Sequence, residues 1–245
     1  GSPPASQPAT PTKPTTTPVG HDTTDGWKPP PSKDLQGLFW GDKFDHKLSL
    51  TFDDGPDARY TPRVLDILKK HDVKATFFVC GDQVAKNPEL VRRIVAEGHT
   101  LGNHSWDHAD LTKIDQKQIE QEFAQTQAAV DKALGYHYEL TQVRPPYGAT
   151  NDKVKGAIKK NDDVAVLWNV DSNDWKYPNN DQAILDNVFK GSSSVYARGG
   201  VILFHDVHPQ SGRVLDQVID RLQHEGYKFV KTDKLLEQKY FTPKA

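Results

Sequence analysis

Lys47-Leu48-Ser49-Leu50-Thr51-Phe52-Asp53-Asp54-Gly55-Pro56 is the segment against which the remaining chain has to be read. From Lys47 to Phe52 polar and apolar side chains alternate, the period of a strand entering a core. Gly55-Pro56 ends that pattern and a helical one follows, so a strand delivers two adjacent carboxylates into a loop. Adjacent like charges cost free energy unless a cation or a shared proton offsets them. A turn can also carry an Asp pair to no further purpose. The two readings part on whether the rest of the chain supplies a partner for each carboxylate.

Downstream, strand, loop and helix repeat. The first helix is expected to have Thr61 as N-cap and Pro62 at its first position, with Val64, Leu65 and Leu68 on one face. Ala75 to Val79 is an apolar, β-rich run. Asn87-Pro88 opens a second helix that turns Leu90, Val91, Ile94 and Val95 inward and stops at Gly98. A short strand near Thr100 to Gly102 leads into a His-rich loop. Asp115 with Gln118 reads as a capping box at the head of a long helix reaching Gly135. Further strands are predicted near Gln142 to Arg144, Val164 to Val170, Val201 to Phe204 and Tyr227 to Val230. About seven βα units imply a parallel sheet. No Gly-rich phosphate loop follows the first strand, which argues against a dinucleotide fold. The expected fold class is α/β, a distorted or incomplete (β/α) barrel.

Composition narrows the function classes. A formal net charge of −2 over 245 residues gives no reason to expect nucleic acid or an anionic membrane as partner. No apolar run is long enough to span a bilayer, and the N-terminus shows no apolar h-region. The single cysteine, Cys80, excludes an intramolecular disulfide and reads as a small buried hydrophobe. Methionine is absent and Gly1-Ser2 looks like a protease scar, so a natural start carrying a signal peptide is expected upstream. The first residues, rich in Pro, Thr, Ser and Lys, read as a disordered or PPII-like tether. Leu35 to Phe44 reads as a lead-in to the folded part.

The residues with chemical potential fall just past predicted strand ends. Asp53 and Asp54 follow the first strand, His104 and His108 the third, Arg144 the fourth, Asp171 and Asp174 the fifth, and His205-Asp206 the sixth. In a parallel barrel those ends share one face, where active sites are built. His104 and His108, four residues apart, would share one side of a helical turn. With one carboxylate of Asp53-Asp54 they form a two-His-one-carboxylate set for a divalent metal. The other carboxylate is then placed as a general base on water. His205 suits the acid that protonates a leaving group, held by Asp171 or Asp174. Arg144 reads either as a structural ion-pair partner or as a clamp on the base.

On these residues the chain resembles the polysaccharide deacetylases of carbohydrate esterase family 4, the NodB-homology domain. Five motifs occur in order: Thr51 to Pro56, His104-Ser105-Trp106-Asp107-His108, Arg144-Pro145-Pro146-Tyr147-Gly148, Asp171-Ser172-Asn173-Asp174-Trp175 and Leu203-Phe204-His205. The resemblance covers roughly residues 46–235; the expected organisation is a tether and lead-in over 1–45, outside it, and a catalytic domain over 46–245. It implies Asp53 as base, with Asp54, His104 and His108 binding Zn2+ or another divalent metal such as Co2+. It further implies His205 as acid oriented by Asp174, and Arg144 orienting the base. Trp175 and Leu203 would form the acetyl-methyl pocket, and the Tyr147 amide would hold the oxyanion.

The expected substrate is therefore an N-acetylated polysaccharide, such as peptidoglycan or chitin oligosaccharides, with an O-acetylated xylan as the alternative. A non-haem iron oxygenase shares the ligand set but usually sits on an all-β scaffold. A glycan-binding module would lack Asp53 or His205. The aromatic residues Trp106, Trp175 and Tyr177 suit stacking on sugar rings. A monomer, secreted or held in a bacterial envelope, is the expectation.

Overall fold

The computed structural model describes residues 37–39, 41–194 and 199–241; the expected N-terminal tether lies outside them. Among the described residues nine strands form one sheet: β1 Gly37–Leu38, β2 Lys47–Asp53, β3 Thr76–Val79, β4 Thr100–Asn103, β5 Gln142–Val143, β6 Val164–Val166, β7 Val170–Asp171, β8 Gly200–His205 and β9 Lys228–Phe229. The helices are α1 Thr61–Lys70, α2 Gly81–Lys86, α3 Pro88–Ala96, α4 Gln116–Leu134, α5 Asp152–Lys160, α6 Asp181–Ser192, α7 Pro209–His224 and α8 Thr232–Phe241. The strand order is β1-β6-β5-β4-β3-β2-β8-β7, with β9 on the first two residues of β2, and each described pairing is parallel.

The sheet curls into an incomplete (β/α) barrel. The predicted strand Val164 to Val170 is broken by Leu167, Trp168 and Asn169, which join β6 to β7 near opposite ends of the strand order. A link that short brings those ends together. Asn169 ties the seam: its Nδ2 donates to Asp42 O at 3.0 Å, and its Oδ1 accepts the Val201 N–H at 2.9 Å. Among the described residues β1 and β7 do not pair, so the barrel stays open there.

Strand parity explains where the chemistry goes, because successive side chains point to opposite faces. Leu48, Leu50 and Phe52 of β2 join Ile202 and Phe204 of β8 and Phe77 of β3 in the main core, packed under α1 and α7. The alternate residues Ser49, Thr51 and Asp53 turn into the barrel, in register with Val201, Leu203 and His205. Phe78 of β3 lies inside, and β4 makes room with Gly102, where a Cβ would come within 2.3 Å of the Phe78 ring. The same parity carried one step past β4 and β5 turns His104 and Arg144 inward. The inward rows thus end on one rim with Asp53, His104, Arg144 and His205.

Local signals hold for α4, where Asp115 and Gln118 form the reciprocal capping box and Gly135 closes the helix in the left-handed region. Thr61 differs from expectation. It is the first residue of α1, and its buried hydroxyl accepts the Asp57 N–H and donates to Asp206 Oδ2 at 2.6 Å. The hydroxyl is drawn off the helix end because Asp206 is buried and needs a donor.

Candidate active site

A cleft of about 450 Å³ opens on that rim, lined by Asp53, Asp54, His104, His108, Tyr147, Asp171, Trp175, Leu203 and His205, together with Pro145, Trp168 and His208. Arg144 and Asp174 lie beneath it, fully buried. The structure therefore brings together the ten residues expected as base, acid, supports, metal ligands, oxyanion donor and acetyl pocket, eight on the wall and two beneath it. Trp106 and Tyr177, expected to stack on sugar rings, do not line this cleft: Trp106 faces a separate hollow beside Val84 and Ala129, and Tyr177 packs against the main core.

Asp53 ends β2 and is clamped from below. Arg144 Nη1 donates to Asp53 Oδ1 at 2.8 Å and to Thr51 Oγ1 at 2.8 Å, while Nε and Nη2 donate to the Val166 and Leu167 carbonyls. The guanidinium lies over the Phe78 ring at 4.3 Å and the Trp168 ring at 5.4 Å. A buried arginine so fully used offsets the charge of a buried carboxylate.

Asp54 turns the other way, at φ 83, and its Oδ1 lies 3.2 Å from His104 Nε2 and 3.3 Å from His108 Nε2. The two imidazoles do not meet on a helical turn as expected. Residues 104–108 form a loop in which Ser105 and His108 both take positive φ. Side chains pin that loop: Asn103 Oδ1 accepts the Ser105 N–H, Ser105 Oγ accepts the His108 N–H, and Glu122 accepts the Trp106 N–H. Strained backbone of this kind persists only where surrounding contacts fix it.

These three residues fit a divalent cation. His104 Nδ1 is paired with the Arg144 carbonyl, so its proton sits there and the Nε2 lone pair points at Asp54. Asp54 Oδ1 is buried and has no hydrogen-bond partner. Three acceptor atoms thus converge within 4.8 Å of one another, as metal ligands do. Burial works against charge on Asp54, yet His104 above all, with His205 and His108, holds it down at about 2. Burial opposes charge on His104 too, but Asp53 and Asp54 push it above the ordinary range. A proton at His104 and a cation at the triad are therefore rival ways of neutralising Asp54.

His205 sits beside Asp53 in strand register and lines the same cleft. Its Nδ1 pairs with Asp174 Oδ1 at 2.7 Å, which leaves Nε2 for the cleft. Burial opposes the imidazolium, but Asp174, with Asp53 and Asp54 behind it, pushes His205 up to about 9. Asp174 is the partner the two-way sequence reading left open. Asp171 instead lines the cleft wall, where its Oδ1 accepts the Asn173 N–H.

Leu203 is buried on the cleft wall and Trp175 is 55% exposed at its mouth. Tyr147, at φ 64 and 67% exposed, sets its ring edge-on to His108 at 4.6 Å. Trp168 and His208 went unpredicted as site residues. Trp168 was hidden inside an apparent strand; His208, three residues past His205, carried only its proximity as a signal.

The polysaccharide deacetylase family model matches residues 41–165. The peptidoglycan-N-acetylglucosamine deacetylase PgdA of Listeria monocytogenes is 42% identical over 197 residues, covering 80% of this chain and 40% of that protein. The peptidoglycan-N-acetylmuramic acid deacetylase PdaC of Bacillus subtilis is 41% identical over 192 residues, covering 78% and 39%. This chain thus spans about two fifths of the length of these relatives. Among solved structures, a carbohydrate esterase family 4 pseudoenzyme from Bacillus anthracis superposes with a TM-score of 0.75 at 29% identity, over 83% of this chain and 70% of that one. With the rim, the cleft and these likenesses agreeing, the chain belongs to the polysaccharide deacetylase family.

Proposed function

We propose that this chain hydrolyses the N-acetyl amide of an N-acetylated glycan, with peptidoglycan as the substrate class, and releases acetate. The observation that carries the reading is the pairing of Asp53 with His205. They are register partners on neighbouring strands, one clamped by Arg144 and the other by Asp174, beside a set of three metal-ligating side chains.

A divalent cation held by Asp54, His104 and His108, zinc in our reading, would supply Lewis acidity at the amide carbonyl and acidify water. Asp53, hydrogen-bonded by Arg144, accepts the proton of the attacking water. The Tyr147 N–H donates to the oxygen that becomes negative as the carbonyl carbon turns tetrahedral. His205, protonated on Nε2, gives that proton to the sugar nitrogen as the carbon–nitrogen bond breaks. Leu203 and Trp175 receive the acetyl methyl. Both names among the relatives, N-acetylglucosamine and N-acetylmuramic acid deacetylase, support an amide of a peptidoglycan sugar over an O-acetyl ester. Because peptidoglycan lies outside the cytoplasmic membrane, the enzyme is assigned to the envelope or the exterior, which cell fractionation tests.

The direct experiment measures acetate from peptidoglycan and from N-acetylglucosamine pentamer, using chain stripped of metal and then resupplied with zinc. Zinc-dependent release supports the proposal. Release from acetylated xylan alone would replace it with an O-esterase, and no release from any glycan would place the chain with the pseudoenzymes.

A further inference from the structure

We propose that Ser211, in the first turn of α7, is a positioning residue for the proton donor: it divides the charge of Asp174 between the helix and the His205 imidazole. The inference rests on the reading of His205 as general acid. Four donors meet the Asp174 carboxylate, two on each oxygen. Oδ1 accepts His205 Nδ1–H at 2.7 Å and the Trp175 N–H at 2.9 Å. Oδ2 accepts the His205 N–H at 2.7 Å and the Ser211 hydroxyl at 2.5 Å. Gln210 Nε2 also donates to the Asp174 carbonyl at 2.9 Å, so the first turn of α7 grips both the side chain and the main chain of Asp174. Asp174, Gln210 and Ser211 are all buried, where such contacts act at low dielectric.

A hydroxyl donating to a carboxylate stabilises its charge and lowers its basicity. The N-terminal end of α7 adds a field of the same sign. Without Ser211 more of the Asp174 charge falls on the Nδ1–H contact. The imidazole then holds its proton more tightly, and transfer to a leaving nitrogen slows. Other charged or titratable groups face His205: Asp53 and Asp54 from the end of β2, Asp171 from β7, His108 from the loop after β4, and His208 with ring centroids 6.2 Å apart. These stay in place when Ser211 is changed, so the difference between variants reads Asp174 alone.

The test compares zinc-loaded wild type with Ser211→Ala and Ser211→Thr, following acetate release from N-acetylglucosamine pentamer and the NMR titration of the His205 ring. Melting temperatures establish that each variant is folded. Ser211→Ala is expected to lower kcat on the order of tenfold, the value of one charged hydrogen bond, with KM unchanged. It is also expected to raise the His205 midpoint, and Ser211→Thr to restore both. An unchanged or lowered midpoint in Ser211→Ala overturns the proposal, whatever happens to kcat. If wild type itself releases no acetate, the deacetylase reading fails, while the His205 midpoint still decides whether Ser211 acts on this pair.

Discussion

Arg144 donates from Nη1 to Oδ1 of Asp53 at 2.8 Å, with both side chains shut away from solvent at 0% and 4% exposure. Breaking a buried pair of this kind strands the surviving charge, which costs about 3–5 kcal/mol. Arg144→Ala is expected to lose that much stability in urea denaturation. Arg144→Lys keeps the charge but not the fork that also reaches Thr51, Val166 and Leu167. It should fold with a lower melting temperature and release acetate about a hundredfold more slowly or worse.

Metal binding should release protons. His104 is pushed above the ordinary imidazole range by Asp53 and Asp54 despite its burial, so a cation entering the triad displaces a proton. Calorimetry of zinc binding in two buffers of different ionisation enthalpy should show that release, with affinity falling as pH falls. Asp54→Ala should abolish the stoichiometric site. A saturating cation should raise stability by about 2.7 kcal/mol at a hundred times its dissociation constant, and chelation should remove the gain.

The His205–Asp174 pair sets a pH window. His205 moves from an ordinary value near 6.5 up to about 9 in the folded chain, against burial and because of Asp174. A folded value above the unfolded one contributes stability that is complete below about 6.5 and is lost as pH rises through about 9. Asp174→Asn should flatten that slope in thermal melts. It should also bring the alkaline limb of the acetate-release profile down towards neutral pH and cut kcat by about 10²–10⁴.

Asp206 should give a slope of the same sign over a lower pH window, but as a penalty on the folded state instead of a gain. Burial, then the nearby Asp54 and Asp53, push it up to about 7, although Thr61 donates to it. The unfolded chain ionises this group first, so its effect is to erode stability from about pH 4 up to about 7 and no further. Asp206→Asn, which keeps an acceptor for Thr61, should melt at the wild-type temperature or higher at pH 8. Gly55→Ala should destabilise by about 1–3 kcal/mol, because its Cβ would lie 2.4 Å from Asp206 Oδ2. Adding Asp206→Ala to it should recover part of the loss.

Much of the fold was legible because strand ends in a parallel barrel carry unusual residues. Asp53-Asp54, His104, Arg144 and His205 each mark where a predicted strand stops, and the structure gathers them on one rim. The capping box of Asp115 and Gln118 was legible because both halves are local. What escaped depended on contacts far apart in sequence. Nothing in Val164 to Val170 announces a break, since it is imposed by Arg144 capturing the Val166 and Leu167 carbonyls and by Asn169 bridging to Asp42 and Val201. The loop carrying His104 and His108 looked helical because positive φ at Ser105 and His108 leaves no mark in residue type. Thr61 looked like a cap because its true partner, Asp206, lies 145 positions away.

The set of contacts made by Arg144 bears on transplantation. Its donors end on the side chains of β2 and on the main chain of β6 and the link beyond it, while its own carbonyl orients His104. Asp53, His104 and the β6–β7 link thus hang on one residue, the first and last on its side chain and His104 on its carbonyl. Grafting the rim loops alone onto another βα scaffold would import the reactive groups without the main-chain acceptors that aim them. An engineer would have to move β2, β5 and the β6–β7 link as one block.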